Sequence, residues 1–524
     1  MTQENVKSTK MTTFIKTVER VGNKLPDPFI LFGIFAVFTL IISLILSKMG
    51  VEASFMEKGS EALTVVKIEN LLTFNKLRQV VSDFPTTYVN FPSLKLVLIM
   101  MMAIGVVEET GFFDSVMRKY LLKAPKGVVT AVFIFACVNA NVMSDAGVIL
   151  TLTLGGVVFA SIGRSPILGI MLGYAACNGG YCASLLVAGA DALVAGITEQ
   201  VAVDAGFHLD IINPLCNYYF MAAATVVLTV VLTIFTEKFI MKLFPEEETA
   251  DDSMLKKYEL TDLENRGLKF GMYGFISFVV IMLALTLPSG AFFRNAAGGF
   301  LPKSPLLSSI VVILFFLFLF IGVSYGVGIK KITSGKDVSK LLQAGAKKSA
   351  PLMVTFLTCA LFMDLLNKSN ILRIIAIKMA ELIKAANVGP LFLLILVIIL
   401  TAMMNPFMTS ASTKWILLAP MVVPVFGMIG VNPAYAQLAY RIGDSATNII
   451  SPLHPAITVI IGLMAQYNSE KEKKSGRKID EAGFGTIFSL TLPYSIVILV
   501  TLTALMIVWY LLRLPIGLGV STFI

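Results

Sequence analysis

The sequence predicts an all-α polytopic membrane protein, with nine transmembrane helices and two opposed re-entrant hairpins arranged as an inverted repeat. Three observations carry this. Hydrophobic residues make up 56% of the 524 residues, charged residues only 14%, and the mean hydropathy is +0.83, against roughly 25% charged in an ordinary soluble domain. Apolar segments of about 18 residues or more, enough to span roughly 30 Å of hydrocarbon, recur along the whole chain. Basic residues gather in the gaps between them, as the positive-inside rule requires of cytoplasmic loops.

The elements follow in order. The N-terminal segment 1–26 carries Lys7, Lys10, Lys16, Arg20 and Lys24, which places it in the cytoplasm. The apolar stretch after it is too long for a signal-peptide core, and no small-residue cleavage pattern follows, so it stays as the first crossing. Nine crossings are expected near 28–48, 93–118, 166–190, 212–236, 270–288, 305–329, 350–367, 438–463 and 484–512. Two apolar segments are left over, near 127–163 and 389–431. Basic loops around Arg118 to Lys126, at 238–269, at 330–348 and at 471–478 are assigned to the cytoplasm. The stretch 192–211 holds Glu199, Asp204 and Asp210 without a Lys or Arg, and reads as an outer loop.

Parity then works only if each leftover segment enters and leaves on one side, the first from the cytoplasm and the second from outside. This divides the chain into 1–26, 27–126 (two helices and an outer loop), 127–211 (first hairpin and broken helix), 212–388 (middle helices), 389–463 (second hairpin and broken helix) and 464–524 (cytoplasmic loop and last helix). Lys368, Arg373, Lys378 and Lys384 fall on the outer side against the charge rule, and an amphipathic interfacial helix would account for them.

Composition excludes several classes. The net charge of +9 sits between apolar spans rather than on a stripe interleaved with aromatics, so no nucleic-acid partner is expected. All five cysteines lie in or beside apolar stretches and read as packing residues. With two histidines and no HExxH there is no hydrolase constellation. No cofactor motif or soluble nucleotide-binding domain is present, so an ion gradient is the expected energy source, with sodium a possible bound ion. Membrane lipid is the expected surrounding, and sites occluded from each face in turn fit a carrier better than a channel.

Polar interruptions mark the site. In the first half, 139–147 reads Asn-Ala-Asn-Val-Met-Ser-Asp-Ala-Gly, and the next crossing holds 178–184, Asn-Gly-Gly-Tyr-Cys-Ala-Ser, before Asp191. The second half has Asn405 to Trp415, then a break from Gly443 to Pro455. Glycine and serine there let a helix unwind, leaving carbonyls for a cation and amide N–H groups for an anion.

These residues resemble the AbgT family. The resemblance rests on Asn405-Pro406-Phe407-Met408, Ser412-Thr413-Lys414-Trp415, Tyr440-Arg441-Ile442-Gly443-Asp444-Ser445, Thr447-Asn448-Ile449-Ile450-Ser451-Pro452, Ser144-Asp145-Ala146-Gly147 and Asp191-Ala192-Leu193, and it runs from Leu25 to Ser495. It implies a homodimer of nine-helix, two-hairpin protomers in the inner (cytoplasmic) membrane. The implied substrates are p-aminobenzoyl-glutamate or related folate fragments, or sulfonamide drugs exported against protons. By motif position it carries over Asp191, Asn405, Ser412, Trp415, Pro433, Arg441 and Asp444. The sequence departs from the family pattern at Thr409 to Thr413, at His454 and in the basic stretch 468–480.

The residue chemistry supplies roles. Arg441 is expected to grip a substrate carboxylate in a bidentate manner. Asp444 either fixes that guanidinium, binds a cation or simply pairs with Arg441 three residues before it. Asp191 is the expected proton-coupling carboxylate, the alternative being a solvated helix end. Trp415 would stack on an aryl ring or pack within its hairpin, and the substrate is therefore an aryl amide or carboxylate. Asn139, Asn178, Asn405 and Asn448 are candidate sodium ligands, with helix capping as their other reading.

Overall fold

A computed structural model describes residues 26–56, 63–122, 124–125, 127–207, 212–244, 258–300, 304–475 and 484–524. The expected N-terminal segment through residue 25, His208 and parts of three basic loops lie outside this set. The helices are α1 Pro28–Lys48, α2 Phe74–Asn90, α3 Pro92–Thr110, α4 Phe112–Leu122, α5 Val129–Asn139, α6 Ser144–Ser161, α7 Pro166–Gly179, α8 Gly189–Asp204 and α9 Tyr218–Phe235. They continue with α10 Asp262–Thr286, α11 Ile310–Gly328, α12 Gly335–Lys368, α13 Ile371–Ala385, α14 Pro390–Met404, α15 Ala411–Met428, α16 Pro433–Asn448, α17 Ala456–Ser475 and α18 Phe484–Leu511.

Among the described residues, nine helices are long and apolar enough to cross a membrane, in agreement with the expected number. They are not all the same segments. The run 129–161 and helix α15 qualify by length, whereas the crossings expected at 166–190 and 438–463 are each broken, at 180–188 and 449–455, into shorter pieces. Two further corrections concern segments expected as outer loops. The loop after α1 contains a two-stranded antiparallel sheet, β1 Glu52–Met56 with β2 Leu63–Lys67, followed by α2. Most of 192–211, expected as loop, is the buried helix α8.

Local chemistry sets the helix ends. Proline stands in the first turn of α1, α3, α7, α14 and α16, where its missing N–H costs no helical bond. Asp27 caps α1 by accepting the Phe29 N–H at 2.9 Å. Gly111, at φ 87°, ends α3 in the left-handed conformation and lets α4 start at once. The chain reverses after α5 at Ser144, which takes φ 50° and ψ −133°, a conformation rarely open to residues with a side chain. The reversal lays α6 back along α5: an added Cβ on Gly147 would meet the Ala140 carbonyl at 2.1 Å, and one on Gly155 the Phe133 ring at 2.9 Å.

The helices form two groups. In one, α10 packs on α11, α11 and α12 on α3, and α12 on α1. In the other, α6 packs on α7, α5 on α9, α14 and α18 on α16, and α9 on α18. Helix α8 lies at the seam, against α3 and α15. Lipid gives helices no hydrophobic reason to associate, so close approach of small residues has to hold them. Gly105 meets Gly345 with 2.4 Å between an added Cβ and the facing Cα, which joins α3 to α12. Gly169 and Gly173, the GxxxG of α7, would meet the carbonyls of Gly155 and Thr151 at 2.0 and 2.5 Å. Glu108 and Glu109 are held by Lys348 at 3.0 and 2.9 Å.

Gly169→Leu should therefore cost at least the roughly 1–3 kcal/mol of an overpacked core and lower the yield of monodisperse protein in detergent, whereas Gly335→Ala, with open space around it, should not. Size-exclusion profiles and thermal midpoints compare the two.

Candidate functional site

The first helix break meets the middle of α16. After Gly179 the chain runs unwound from 180 to 188, then re-enters a helix at Gly189, so that Asp191 falls in the first turn of α8. There its Oδ2 accepts the Ala188 N–H at 2.6 Å, favourable for a carboxylate at a helix N-terminus. Its Oδ1 lies 2.6 Å from Arg441 Nη2, and both side chains are 2% exposed. This contact is an ion pair without hydrogen-bond alignment. Asp191 is thus neither solvated nor at the end of an outer loop.

Arg441 comes from α16 and spans the gap. Its Nη2 donates to the Tyr181 carbonyl at 3.1 Å, its guanidinium carbon stands 5.8 Å from the Tyr181 ring centre, and its Nε has no partner. The unwound segment supplies both that carbonyl and, through Ala188, the N–H that orients Asp191. The break therefore makes the site.

The expected Arg441–Asp444 pair on one helix does not form. Asp444 Oδ1 instead receives the ammonium of Lys414, which also donates to Asn405 Oδ1. Lys414, Asn405 and Asp444 are all fully buried. Asn405 completes the junction by donating from Nδ2 to the Asp444 carbonyl at 2.8 Å and to Thr447 Oγ1 at 2.7 Å. The physical reason for the exchange is reach. Lys414 stands in the first turn of α15, across from α16, while Arg441 points to the other break. Each charge is matched across elements rather than along one helix.

Sequence reasoning assigned Lys414 no role. Its signal was available: an isolated lysine nine residues after Asn405 in apolar sequence has to find a carboxylate.

The other expected residues sort into three groups. Trp415 is buried, stacked on Tyr440 with ring centres 4.6 Å apart, and its Nε1 donates to Thr198 Oγ1 at 3.0 Å. Thr198 donates on to Gln437 Oε1 at 2.7 Å, and Gln437 to Asn217 at 2.8 Å, so this hydrogen-bonded chain ties α15, α8, α16 and α9. Ser412 pairs with Ser410 at 3.0 Å at the start of α15, and Pro433 opens α16, two turns before Arg441. Asn139 and Asn178 act as structural amides. Asn139 donates to Phe135 and accepts the Leu185 N–H, both at 2.8 Å, clamping the end of α5 to the break, and Asn178 donates to Tyr174.

Of the expected sodium set, Asn139 and Asn405 have their amide oxygens engaged, whereas that of Asn448 is buried and free of hydrogen bonds. Asn448 Oδ1 is buried without a hydrogen bond, as are Asp444 Oδ2, Ser445 Oγ and Ser451 Oγ near it in sequence. Such oxygens are the donors a hard cation takes. Among the described residues no group of three His, Cys, Asp or Glu could hold a metal ion. His454 packs edge-on against Tyr174 and accepts the Ala456 N–H.

Nine candidate spans among the described residues, with broken helices that enclose paired charges, define a membrane transporter. Comparison with known proteins agrees. The family description "AbgT putative transporter family" matches residues 13–524. The p-aminobenzoyl-glutamate transport protein of Escherichia coli K12 is 27% identical over 505 residues, covering 96% of each chain. Among solved structures, the Alcanivorax borkumensis YdaH transporter superposes with a TM-score of 0.84 at 28% identity, covering 94% of this chain and 100% of that one. The Neisseria gonorrhoeae MtrF structure, reported as illuminating a class of antimetabolite efflux pumps, gives 0.87 at 30% identity, covering 95% and 97%. The chain belongs to the AbgT family of transporters, and it is not an enzyme.

Removing one member of a buried pair strands the other charge at a cost of about 3–5 kcal/mol, whereas replacing both with apolar residues does not. Lys414→Met and Asp444→Leu should each lower the thermal midpoint in detergent more than the double variant does. A double variant as unstable as the sum of the singles would show the two charges to be energetically independent.

Proposed function

We propose that the protein carries p-aminobenzoyl-glutamate or a related aryl amide acid across the cytoplasmic membrane by secondary active transport, driven by a proton or sodium gradient. The observation that carries this reading is Arg441, a buried guanidinium held at the 180–188 break by one carboxylate and one backbone carbonyl. A substrate carboxylate matches the fork that Asp191 now occupies. Protonating Asp191 cancels its charge and frees Arg441 for the incoming anion, so that proton and carboxylate together replace one carboxylate. For one substrate carboxylate the exchange leaves the site neutral, which lowers the cost of carrying it through a low-dielectric interior, and the second carboxylate of p-aminobenzoyl-glutamate calls for a second proton or a sodium ion to keep that balance.

Sodium offers a second route to the same balance, through the unpartnered oxygens of Asp444, Ser445, Asn448 and Ser451. Trp415 already has Tyr440 on one face, so an aryl group would stack on the opposite face or part the two rings. The substrate class is supported by the Escherichia coli relative's name. Efflux of sulfonamide-type antimetabolites is the alternative, favoured by likeness to MtrF. A neutral drug would leave Arg441 without a carboxylate to exchange.

Flux of labelled p-aminobenzoyl-glutamate in proteoliposomes, under proton and sodium gradients imposed separately, tests the reading. Wild type should accumulate the label under one gradient. Asp191→Asn should lose gradient-driven accumulation under protons, and Arg441→Lys, which forfeits the bidentate fork, should raise KM about 10-fold or more. Absence of flux under both gradients, with outward movement of a sulfonamide, would replace it with the efflux reading.

A further inference from the structure

Among the described residues, Lys414 and Arg441 are the only buried side chains with a positive charge. The transport reading uses the second and leaves the first idle. Lys414 stands in the first turn of α15, where a helix dipole favours anions over cations. Its ammonium does not stay there. It reaches back to Asn405, the residue that closes α14, and across to Asp444 on α16. The charge therefore sits at the C-terminal end of α14, the end that attracts cations. In carriers built on broken helices, such C-terminal ends and unwound backbone are where a coupling cation is held.

The oxygens that receive the ammonium, one from a carboxylate and one from an amide, are of the kind a hard cation takes. Asn405 Oδ1 is aimed independently of Lys414, because its Nδ2 donates to the Asp444 carbonyl at 2.8 Å and to Thr447 Oγ1 at 2.7 Å. Shortening Lys414 would leave that oxygen and the carboxylate facing the vacated place. The charge balance is closed as well, since Asp444 is the acid that pairs with Lys414. A sodium ion added at the spare oxygens of Asp444, Ser445, Asn448 and Ser451 would find no uncompensated negative charge. It would leave one positive charge in excess in a low-dielectric interior, a costly state.

We propose that the Lys414 ammonium is a tethered cation in the place that an alkali ion would otherwise fill, so that the wild-type protein needs no sodium and couples to protons. An ammonium is a compact point charge, the side-chain group most like such an ion. The inference rests on the gradient-driven reading above and selects between its two ions. Lys414 is a positioning residue in this account. It holds the tip of the second hairpin against α16, and the charge of Asp444 stays balanced whatever the sodium concentration outside.

The test compares wild type, Lys414→Ala and Lys414→Ala/Asp444→Asn, melted in sodium chloride and in equimolar choline chloride. Wild type should melt at the same temperature in both. Lys414→Ala should melt lower in choline and regain about 2–4 °C in sodium, because an ion that binds only the folded state stabilises it. The double variant, without the carboxylate, should lose that response. In proteoliposomes, uptake of labelled p-aminobenzoyl-glutamate by wild type should follow the proton gradient and ignore the replacement of sodium by choline. A wild type that sodium stabilises or drives, or a Lys414→Ala midpoint indifferent to sodium, overturns the assignment. A Lys414→Ala protein too unstable to purify in choline should be recovered in sodium, and its failure in both, while the double variant folds, also overturns it. The melting arm uses no substrate. A protein that moves no aryl amide acid would therefore defeat the transport reading without touching the sodium result.

Discussion

The ion pair between Asp191 and Arg441 is the constraint on which the site depends. A guanidinium taken out of water loses several kcal/mol of hydration, and only a carboxylate with further hydrogen bonds offsets that loss. Each of those further bonds requires the chain to be unwound between α7 and α8, since a continuous helix would spend the Tyr181 carbonyl and the Ala188 N–H on itself. The irregular backbone is tolerated because it is enclosed by protein, the one circumstance in which such backbone survives at membrane depth. Helix break and buried charge therefore explain each other. Neither would be stable without its counterpart.

Around that pair the protein uses two kinds of junction. Glycine contacts such as Gly105 on Gly345, and Gly155 on Gly169, bring backbones so close that no side chain intervenes. These fix the relative placement of α3 with α12 and of α6 with α7. The junctions at α8, α15 and α16 are polar instead, running from Trp415 through Thr198 and Gln437 to Asn217, and from Lys414 to Asn405 and Asp444. The helices that bear the site carry glycine contacts too: Gly196 of α8 meets Ser93, and Gly443 of α16 meets the Ile398 carbonyl.

The number of spans, the position of both breaks and most of the charged site were legible in the sequence, because hydropathy and misplaced polarity report directly on lipid. What escaped had a different character. Helix α8 reads as loop from sequence because 192–211 holds three acids and no Lys or Arg. Its Ala and Gly content suits close helix packing, as where Gly196 meets Ser93, and Asp191 and Asp204 are buried within it rather than solvated. The pairing of Arg441 and Asp444 was misjudged because sequence spacing reveals neighbours on one helix and says nothing of what faces that helix. Lys414 escaped for the same reason, its partners being supplied by tertiary structure alone. The sheet at 52–67 left no signal strong enough to compete with the apolar spans on either side.

The cysteines, so far only packing residues, have a practical corollary. All five are free thiols and all five are buried, and Cys182 stands in the unwound segment beside Arg441's anchor at Tyr181. The resting conformation therefore offers an aqueous alkylating reagent no native target, so a probe thiol placed on the surface would report alone without prior removal of the others. Alkylation of Cys182, which happens once per molecule, would in turn mark the chains in which water has reached the break, its rate following how readily the site opens.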